Sequence, residues 1–421
     1  MKYILILCDA FPPAFAPRMG YLCKFLMKYH WKPFVVTEYL TQNFYHDLAN
    51  VQDVEYINYY HSKNKIWQQI KYVFVFLADL IFNYKDIIIL RKAKKIVKTN
   101  NIDIILVSSY RIFPALAAHK LSKKYNIPLI VDLRDIFEQF PNNEYISKKI
   151  AHTKLNSFLS KIITKKLLRQ RNEILNNADS VITISDWHAK TLSEYNQNIN
   201  LIYNGFASEL FYPQIIKNEK FIITYTGRIE SQEIKDPSSF FDAVAKLSIE
   251  KKIAVKNFRI QFYLIDEKSK ELVKKLAQKH NVTNFIDIFD TVQNKEIPKI
   301  LNSSSILLLL TNKSTDGKTL KGIMGTKVFE YMAVEKPILC VKNDEDCLEK
   351  IVKSANAGLA ASTTEDVEKF VLEKFIEWQE NGYTRQPVDK DFVQQFSRER
   401  QVEQFVNLFN LNIKINKWVV S

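Results

Sequence analysis

The sequence predicts an α/β protein built as two doubly wound domains. Three observations point there. The 421 residues (49.4 kDa) exceed one ordinary core and suit two domains of about 200 residues each. Short runs of Ile, Leu and Val alternate with helical patterns, as strands buried on both faces of a parallel sheet do. Past the middle of the chain, that alternation starts afresh.

In the first half, Tyr3–Leu7 is an apolar strand closed by Pro12, Pro13 and Pro17. Gly20–Tyr29 places Leu22, Phe25 and Leu26 at helical spacing, and Phe34–Thr37 returns as a strand. Ile104–Ser108, Pro128–Asp132 and Val181–Ser185 are further buried strands, with helices at Pro114–Tyr125 and from Ile146 to Asn177. In the second half the strands are Phe221–Thr226, Ile260–Ile265, Phe285–Phe289, Ile306–Leu310 and Pro337–Val341. Pro237–Ser248, Lys268–His280, Lys295–Asn302 and Lys327–Ala333 are the helices between them. Strand–helix–strand succession implies parallel sheets covered on both faces. The expected domains are 1–205 and 206–395, with the turn Asn204-Gly205 at the seam. A helix within 396–421 is expected to pack back across the N-terminal domain. Two such domains would face each other across a cleft at the carboxyl ends of their strands, where a ligand binds.

Composition narrows the function. With 47% hydrophobic and 25% charged residues the chain is neither disordered nor collagen-like. Apolar runs such as Tyr72–Ala78 and Ile306–Leu310 fall far short of the roughly 20 residues that span a bilayer. Met1–Cys8 is too brief for a signal peptide, and the four cysteines lack C-x-x-C spacing, so a cytoplasmic, reduced location is expected. The net charge of +14 is uneven: residues 1–200 hold 28 Lys/Arg against 16 Asp/Glu. Such a half suits a nucleic acid, an anionic lipid surface or a phosphorylated substrate, and compositional drift toward Lys, Ile and Asn accounts for part of it equally well.

Two segments carry chemistry. In Tyr225-Thr226-Gly227-Arg228-Ile229-Glu230, followed by Lys235-Asp236-Pro237, a strand ends in a Gly-Arg loop and a helix opens with Pro in its first turn. Two cations beside free backbone N–H groups suit a diphosphate; a surface loop with solvated charges has the same composition. In Gly325-Thr326-Lys327-Val328-Phe329-Glu330-Tyr331-Met332-Ala333, Lys327 and Glu330 share a helix face. That carboxylate could accept two hydrogen bonds from vicinal hydroxyls, or simply form an i,i+3 ion pair.

Taken together, Gly-Arg…Lys-Asp-Pro and, about 100 residues later, Lys-x-x-Glu-Tyr-x-Ala-x-x-Lys-Pro-Ile resemble the C-terminal domain of retaining glycosyltransferases of the GT-B fold, family 4. The N-terminal half is similar too, in Pro12-Pro13 with Arg18 and Gly20, Asp132-Leu133-Arg134-Asp135, Ala178–Ser185 and Ile202–Phe206; Phe396-Ser397-Arg398 resembles the family's closing helix. The resemblance implies a nucleotide-sugar donor, with Arg228 and Lys235 neutralising its diphosphate, Glu330 holding the ribose and Lys327 adding a cation. A Gly20 loop and Gly227 would let backbone approach the phosphates. It implies no metal or other cofactor; Asp344-Glu345-Asp346 is then a solvated acidic turn.

Two departures stand out. The glutamate that often sits eight residues before the ribose-binding one is here Gly322, and the family's N-terminal catalytic histidine is replaced by Arg134 and Asp135. Asp135 is the candidate to touch the acceptor or the transferred sugar, while Arg134 could equally pair with Asp132. His119 and His188 are expected to be structural. Without an acidic pair, retention by same-face departure and attack is the more economical route. The acceptor implied is a glycan, lipid-linked, of a bacterial capsule, O-antigen or exopolysaccharide. A nucleotide-sugar 2-epimerase shares the architecture but needs clustered carboxylates and histidines. A nucleic-acid-binding protein is disfavoured because no recognition module accompanies the basic half.

Between Glu144 and Glu173 stand eight Lys/Arg and no acidic residue, interleaved with apolar residues at helical spacing. Segment 148–171 is therefore a candidate to touch an anionic membrane surface, placing the protein peripherally on the inner face of the cell membrane. A second apolar stretch, Ile66–Leu90, is expected to bury its face in the core.

Overall fold

The parallel strands and their helices divide between two units in a computed structural model, Met1–Tyr203 with Arg398–Ser421 and, separately, Asn204–Ser397. The structure describes the whole chain except residues 52, 111, 140–153, 230, 233, 312–321, 342–345 and 421, and except the side chains of 154–159 and 415–420.

The first unit holds a seven-stranded parallel sheet of β1 (Lys2–Cys8), β2 (Trp31–Glu38), β3 (Val54–Ile57), β4 (Ile104–Ser109), β5 (Leu129–Leu133), β6 (Ser180–Thr183) and β7 (Ile199–Leu201), ordered β3-β2-β1-β4-β5-β6-β7. The second holds six parallel strands, β8 (Phe221–Gly227), β9 (Phe258–Leu264), β10 (Ile286–Asp290), β11 (Ile306–Leu310), β12 (Ile338–Val341) and β13 (Gly358–Ala361), ordered β10-β9-β8-β11-β12-β13. Each is a doubly wound sheet whose strand order reverses beside its first strand. Central strands read as unbroken apolar runs because both faces are covered: Ile4–Leu7, Ile104–Val107 and Ile306–Leu308 are fully buried. Leu5 registers with Phe34 and Ile105, and Ile223 with Ile260 and Ile306.

Three strands escape the sequence pattern, β3, β7 and β13, all at sheet edges and at most four residues long. An edge strand needs less apolar surface, so Glu55 and Asn200 are tolerated within two of them. In β13, Gly358 has φ +144° and a Cβ there would lie 2.1 Å from the Ile338 carbonyl oxygen, so glycine permits the close pairing with β12.

The closing helix, Arg398–Val420, belongs to the first unit. Phe409 packs edge-on against Trp31 with ring centroids 5.5 Å apart, and Asn412 Oδ1 accepts a 3.0 Å bond from Ser180 Oγ. It is separate from the short helix Lys390–Gln394, which contains Phe392.

Two expectations need correcting. The stretch Ile66–Leu90 is not one element: Asn83, in the left-handed region at φ 52°, splits it between helices Lys65–Phe82 and Tyr84–Thr99. Only the second buries its apolar face, through Ile89 and Ala93. The first leaves Ile66, Trp67, Ile70, Val73, Phe74, Leu77, Ile81 and Phe82 all more than half exposed. Nor does Asp132 pair with Arg134. Its fully buried carboxylate takes a bidentate bond from Arg18, at 3.1 Å (Nε) and 2.9 Å (Nη2), and a 2.8 Å bond from Ser108 Oγ. Arg18 also donates to the carbonyls of Ile202 (3.0 Å) and Tyr203 (2.9 Å) and lies 5.0 Å from the Phe405 ring centroid. One buried ion pair thus ties the first helix, β4, β5, the end of the first chain segment and the closing helix.

Removing one partner of a buried pair strands a charge, at about 3–5 kcal/mol. Asp132→Asn should lower unfolding stability by that amount in urea titrations, and the double variant R18M/D132L should recover most of it. A D132N midpoint equal to wild type would show that the pair does not stabilise the unit.

Candidate functional site

At the carboxyl end of β8 the chain turns through Gly227, at φ +120°. A Cβ at this position would stand 1.9 Å from Lys327 Nζ and 2.6 Å from its Cε. Gly227 therefore serves twice: it adopts a backbone angle that other residues resist, and it leaves the space that the Lys327 ammonium fills. Lys327 opens helix Lys327–Ala333, and its Nζ lies 4.8 Å from the Tyr225 ring centroid. That helix is fixed to β8 by Tyr331, fully buried, whose hydroxyl meets Thr226 Oγ1 at 3.1 Å. Burial pushes the Tyr331 phenol above its ordinary pKa, so it stays a neutral hydrogen-bonding anchor. Glu330, half-buried, sits three residues along from Lys327 on the same helix.

Arg228 follows Gly227 and is held from its inner edge. Its Nε donates to Asp266 Oδ2 at 2.8 Å, while the side chain as a whole stays 54% exposed. Asp266 caps helix Glu267–Lys279, its Oδ1 accepting from the Ser269 N–H and Oγ at 2.9 Å each. Burial alone would raise the Asp266 pKa, but the bonds from Ser269 and Arg228 hold its carboxyl below the ordinary range. Ser269 Oγ also accepts from the Ile229 N–H (3.0 Å) and lies 3.1 Å from its carbonyl oxygen, locking the loop backbone. The guanidinium is thereby aimed through Nε, and its Nη groups make no hydrogen bond with the described residues. Lys235 Nζ donates to the Arg228 carbonyl at 2.9 Å, and Tyr225 Oη donates to the same oxygen at 2.7 Å. Asp236 Oδ1 accepts from the Ser238 N–H and Oγ at 3.0 and 2.6 Å, starting helix Ser238–Ile249.

The structure thus gathers four of the predicted residues, Gly227, Arg228, Lys235 and Lys327, around the end of one strand, with Glu330 one turn further along. They stand beside the point where the strand order reverses between β8 and β11, the place where open α/β sheets bind ligands. Glu230, Asp344 and Glu345 lie outside the described residues. Asp346 precedes helix Cys347–Ser354, and its Oδ2 accepts a 3.4 Å bond from the Gly322 N–H.

In the first unit, Asp135 follows β5 beside Arg134, which pairs with Asp9 at the end of β1. Asp9 Oδ2 also accepts from the Tyr110 N–H at 2.8 Å. Burial, and to a smaller degree the Asp9 charge, push the Asp135 carboxyl up to about 7 against the opposing pull of Arg134. A carboxyl that titrates near neutrality at a strand end is suited to proton exchange or to a hydrogen bond with a hydroxyl.

Gly20 is not in a loop. It lies inside helix Pro17–Leu26, its N–H donates to the Ala16 carbonyl at 3.2 Å, and a Cβ would meet Pro12 Cγ at 2.6 Å. Its smallness serves helix packing, and its N–H is already used. His188 is fully buried with Nδ1 3.1 Å from Thr183 Oγ1, and burial pushes it down to about 4, so it is neutral at physiological pH. The Asp266–Ser269 clamp was missed in the sequence, although Asp-x-x-Ser before a helix is a capping signal. The Asp9–Arg134 pair had no signal, since 125 residues separate its members.

Asp135 carries a stability signature. Its folded pKa, about 7, exceeds the ordinary 3.8, so between those values the folded chain binds the more protons and stability falls as pH rises. Asp135→Asn removes this fall. Its melting temperature should gain on wild type between pH 4.5 and pH 8, by differential scanning calorimetry. A gap between the two that is constant with pH would contradict the assignment.

Comparison with known proteins now supplies a context. The model for Glycosyltransferase Family 4 matches residues 44–210, and that for Glycosyl transferases group 1 matches residues 208–391. No curated protein matches the chain. Among solved structures, Anabaena HepE in complex with UDP is similar at 14% identity over 97% of this chain and 100% of that one, with a TM-score of 0.64. Sucrose-phosphate synthase from Thermosynechococcus elongatus is similar at 15% identity over 98% and 99%, with a TM-score of 0.62. The lipopolysaccharide outer core galactosyltransferase WaaB, in its apo form, is similar at 12% identity over 96% and 98%, with a TM-score of 0.55. The structural likenesses carry the fold, and the two family matches meet within a few residues of the boundary between the units. Both halves being those of sugar-transferring enzymes, the chain is a glycosyltransferase of the GT-B fold.

Proposed function

We propose that this glycosyltransferase takes a sugar from a nucleoside diphosphate donor and places it on a glycan acceptor with retention of anomeric configuration. The observation that carries the reading is the cluster of Arg228, Lys235 and Lys327 around Gly227 at the end of β8. Three cations gathered at the end of one strand suit a diphosphate, whose charge grows as the sugar departs. Arg228 presents its Nη groups to a phosphate, aimed by Asp266, and Lys327 fills the space beside Gly227. Glu330 accepts hydrogen bonds from the ribose hydroxyls. The likeness to HepE, solved with UDP, supports a nucleotide donor of this kind.

Transfer then proceeds on one face of the sugar. The bond from the anomeric carbon to the diphosphate oxygen breaks, and its electron pair goes to the diphosphate. The acceptor hydroxyl oxygen bonds to the anomeric carbon from the same side, and its proton passes to the departing phosphate oxygen. The protein's contribution is electrostatic: cations fixed before the reaction, stronger toward the separated diphosphate than toward the intact donor. In this reading the side-chain cations take the part that a metal plays elsewhere, and Asp135 contacts the acceptor or the transferred sugar. The acceptor we propose is a lipid-linked glycan of a bacterial capsule, O-antigen or exopolysaccharide, extended at the inner face of the cell membrane; WaaB, of similar fold, is itself a lipopolysaccharide outer core galactosyltransferase.

Arg228 is exposed and outside the core, so Arg228→Ala should leave the melting temperature unchanged while lowering turnover about 10²-fold, the usual loss on removing one donor aimed at a developing anion. The donor comes from screening UDP-, GDP-, ADP- and CMP-sugars for thermal stabilisation. Turnover unchanged in R228A would remove Arg228 from the diphosphate site.

A further inference from the structure

Helix Lys65–Phe82 carries a surface that donor binding does not explain. Ile66, Trp67, Ile70, Val73, Phe74, Leu77 and Ile81 are 69, 59, 51, 55, 62, 51 and 65% exposed. At about 100° per residue these seven fall within an arc of about 120°, one continuous apolar stripe along the helix. Val75, on the opposite side, is the one residue of this helix that is buried. Isolated apolar residues on a surface need no explanation, but a contiguous stripe marks an interaction face. The helix start is secured by Asn64, whose side chain accepts from the Ile66 and Trp67 N–H groups at 2.9 and 3.4 Å. Its single acidic residue, Asp79, is occupied by a 2.9 Å bond from the Lys85 N–H.

A basic helix lies against the end of this one. Lys166 Nζ donates to the Leu80 carbonyl at 2.6 Å, so helix Lys154–Asn176 runs beside the end of the apolar helix. Lys161, Lys165 and Arg169, all exposed, follow one another at four-residue spacing on one face of that second helix, next to Ile162, which is 50% exposed.

We propose that this face lies on an anionic lipid bilayer, the stripe of helix Lys65–Phe82 entering the headgroup–acyl boundary and Lys161, Lys165 and Arg169 meeting the anionic headgroups. An exposed apolar helix face with a basic helix at its end is the composition of a surface that lies in the membrane interface plane. It lies on the membrane and does not cross it, as no described helix is long and apolar enough to span a bilayer. Charge selects the occupant. A second copy of this chain would bring the same cations against one another, whereas anionic lipid neutralises them. The proposal moves the inserting element from segment 148–171, expected from the sequence, to helix Lys65–Phe82, and gives the basic helix an electrostatic part. It does not depend on the donor site.

Co-sedimentation of the full chain with vesicles of phosphatidylcholine, with and without phosphatidylglycerol, tests it. Wild type should partition onto phosphatidylglycerol vesicles at least about tenfold more strongly than onto phosphatidylcholine alone. The variant W67D/F74D/I81D should lose about tenfold or more of that partition with an unchanged melting temperature, and K161Q/K165Q/R169Q should lose the phosphatidylglycerol preference. Should the aspartate variant fail to fold, brominated lipids provide the same test on the intact surface: they should quench wild-type fluorescence, and the conservative W67F should lose that quenching. Wild type remaining in the supernatant, or equal partition of the aspartate variant, would overturn the proposal. So would a wild-type dimer in lipid-free sedimentation that the same variant makes monomeric, which would assign the stripe to a second copy.

Discussion

The Lys327 ammonium stands in the space where a side chain at position 227 would be. That steric fact organises the second unit. Gly227 must turn through φ +120° to end β8, and without a Cβ it allows a cation from a helix 100 residues further on to reach the strand end. The helix is held in place by the buried Tyr331–Thr226 contact, so the cation's position is set by packing and not by the flexibility of a lysine. Arg228 is placed by a different device, a carboxylate that grips its Nε while capping a helix through Ser269. Both cations are positioned before any ligand arrives, which is the condition for an electrostatic contribution to catalysis.

The first unit uses charge differently. Arg18 and Asp132 are both almost fully buried and make several hydrogen bonds each within the unit, so they bind the fold together. A few residues further on, Asp135 is only half-buried, and its carboxyl is raised to about 7. The Asp132–Asp135 segment therefore divides its labour within one turn of chain. Its first aspartate is structural, its arginine pairs with Asp9, and its last aspartate is the more exposed one, with a raised carboxyl pKa.

Much of the fold was legible because strands buried on both faces must be continuously apolar, as Ile306–Leu310 and Ile104–Val107 are. The edge strands β3, β7 and β13 were not, since one free edge relaxes that demand. In the second unit, the Gly-Arg loop and Lys327–Glu330 could be named from order and spacing, but their meeting could not, because only the fold brings residue 227 to residue 327. Gly20 misled: a glycine near a proline-rich turn suggests a loop, yet here it clears space for Pro12 within a helix. The stripe from Ile66 to Ile81 misled in another way. Periodicity shows that a helix has an apolar face, and says nothing of whether protein covers it.

The most direct measurement is a double-mutant cycle on nucleotide affinity, with calorimetry of wild type, Gly227→Ala, Lys327→Met and the double variant against whichever of UDP, GDP or ADP binds wild type most tightly. If the vacancy at 227 exists to seat the Lys327 ammonium against a diphosphate, Gly227→Ala should cost about tenfold more binding with Lys327 present than without it, the residual loss being that of the strained backbone angle. An equal loss in both backgrounds would contradict the account, because the glycine would then matter for its backbone alone.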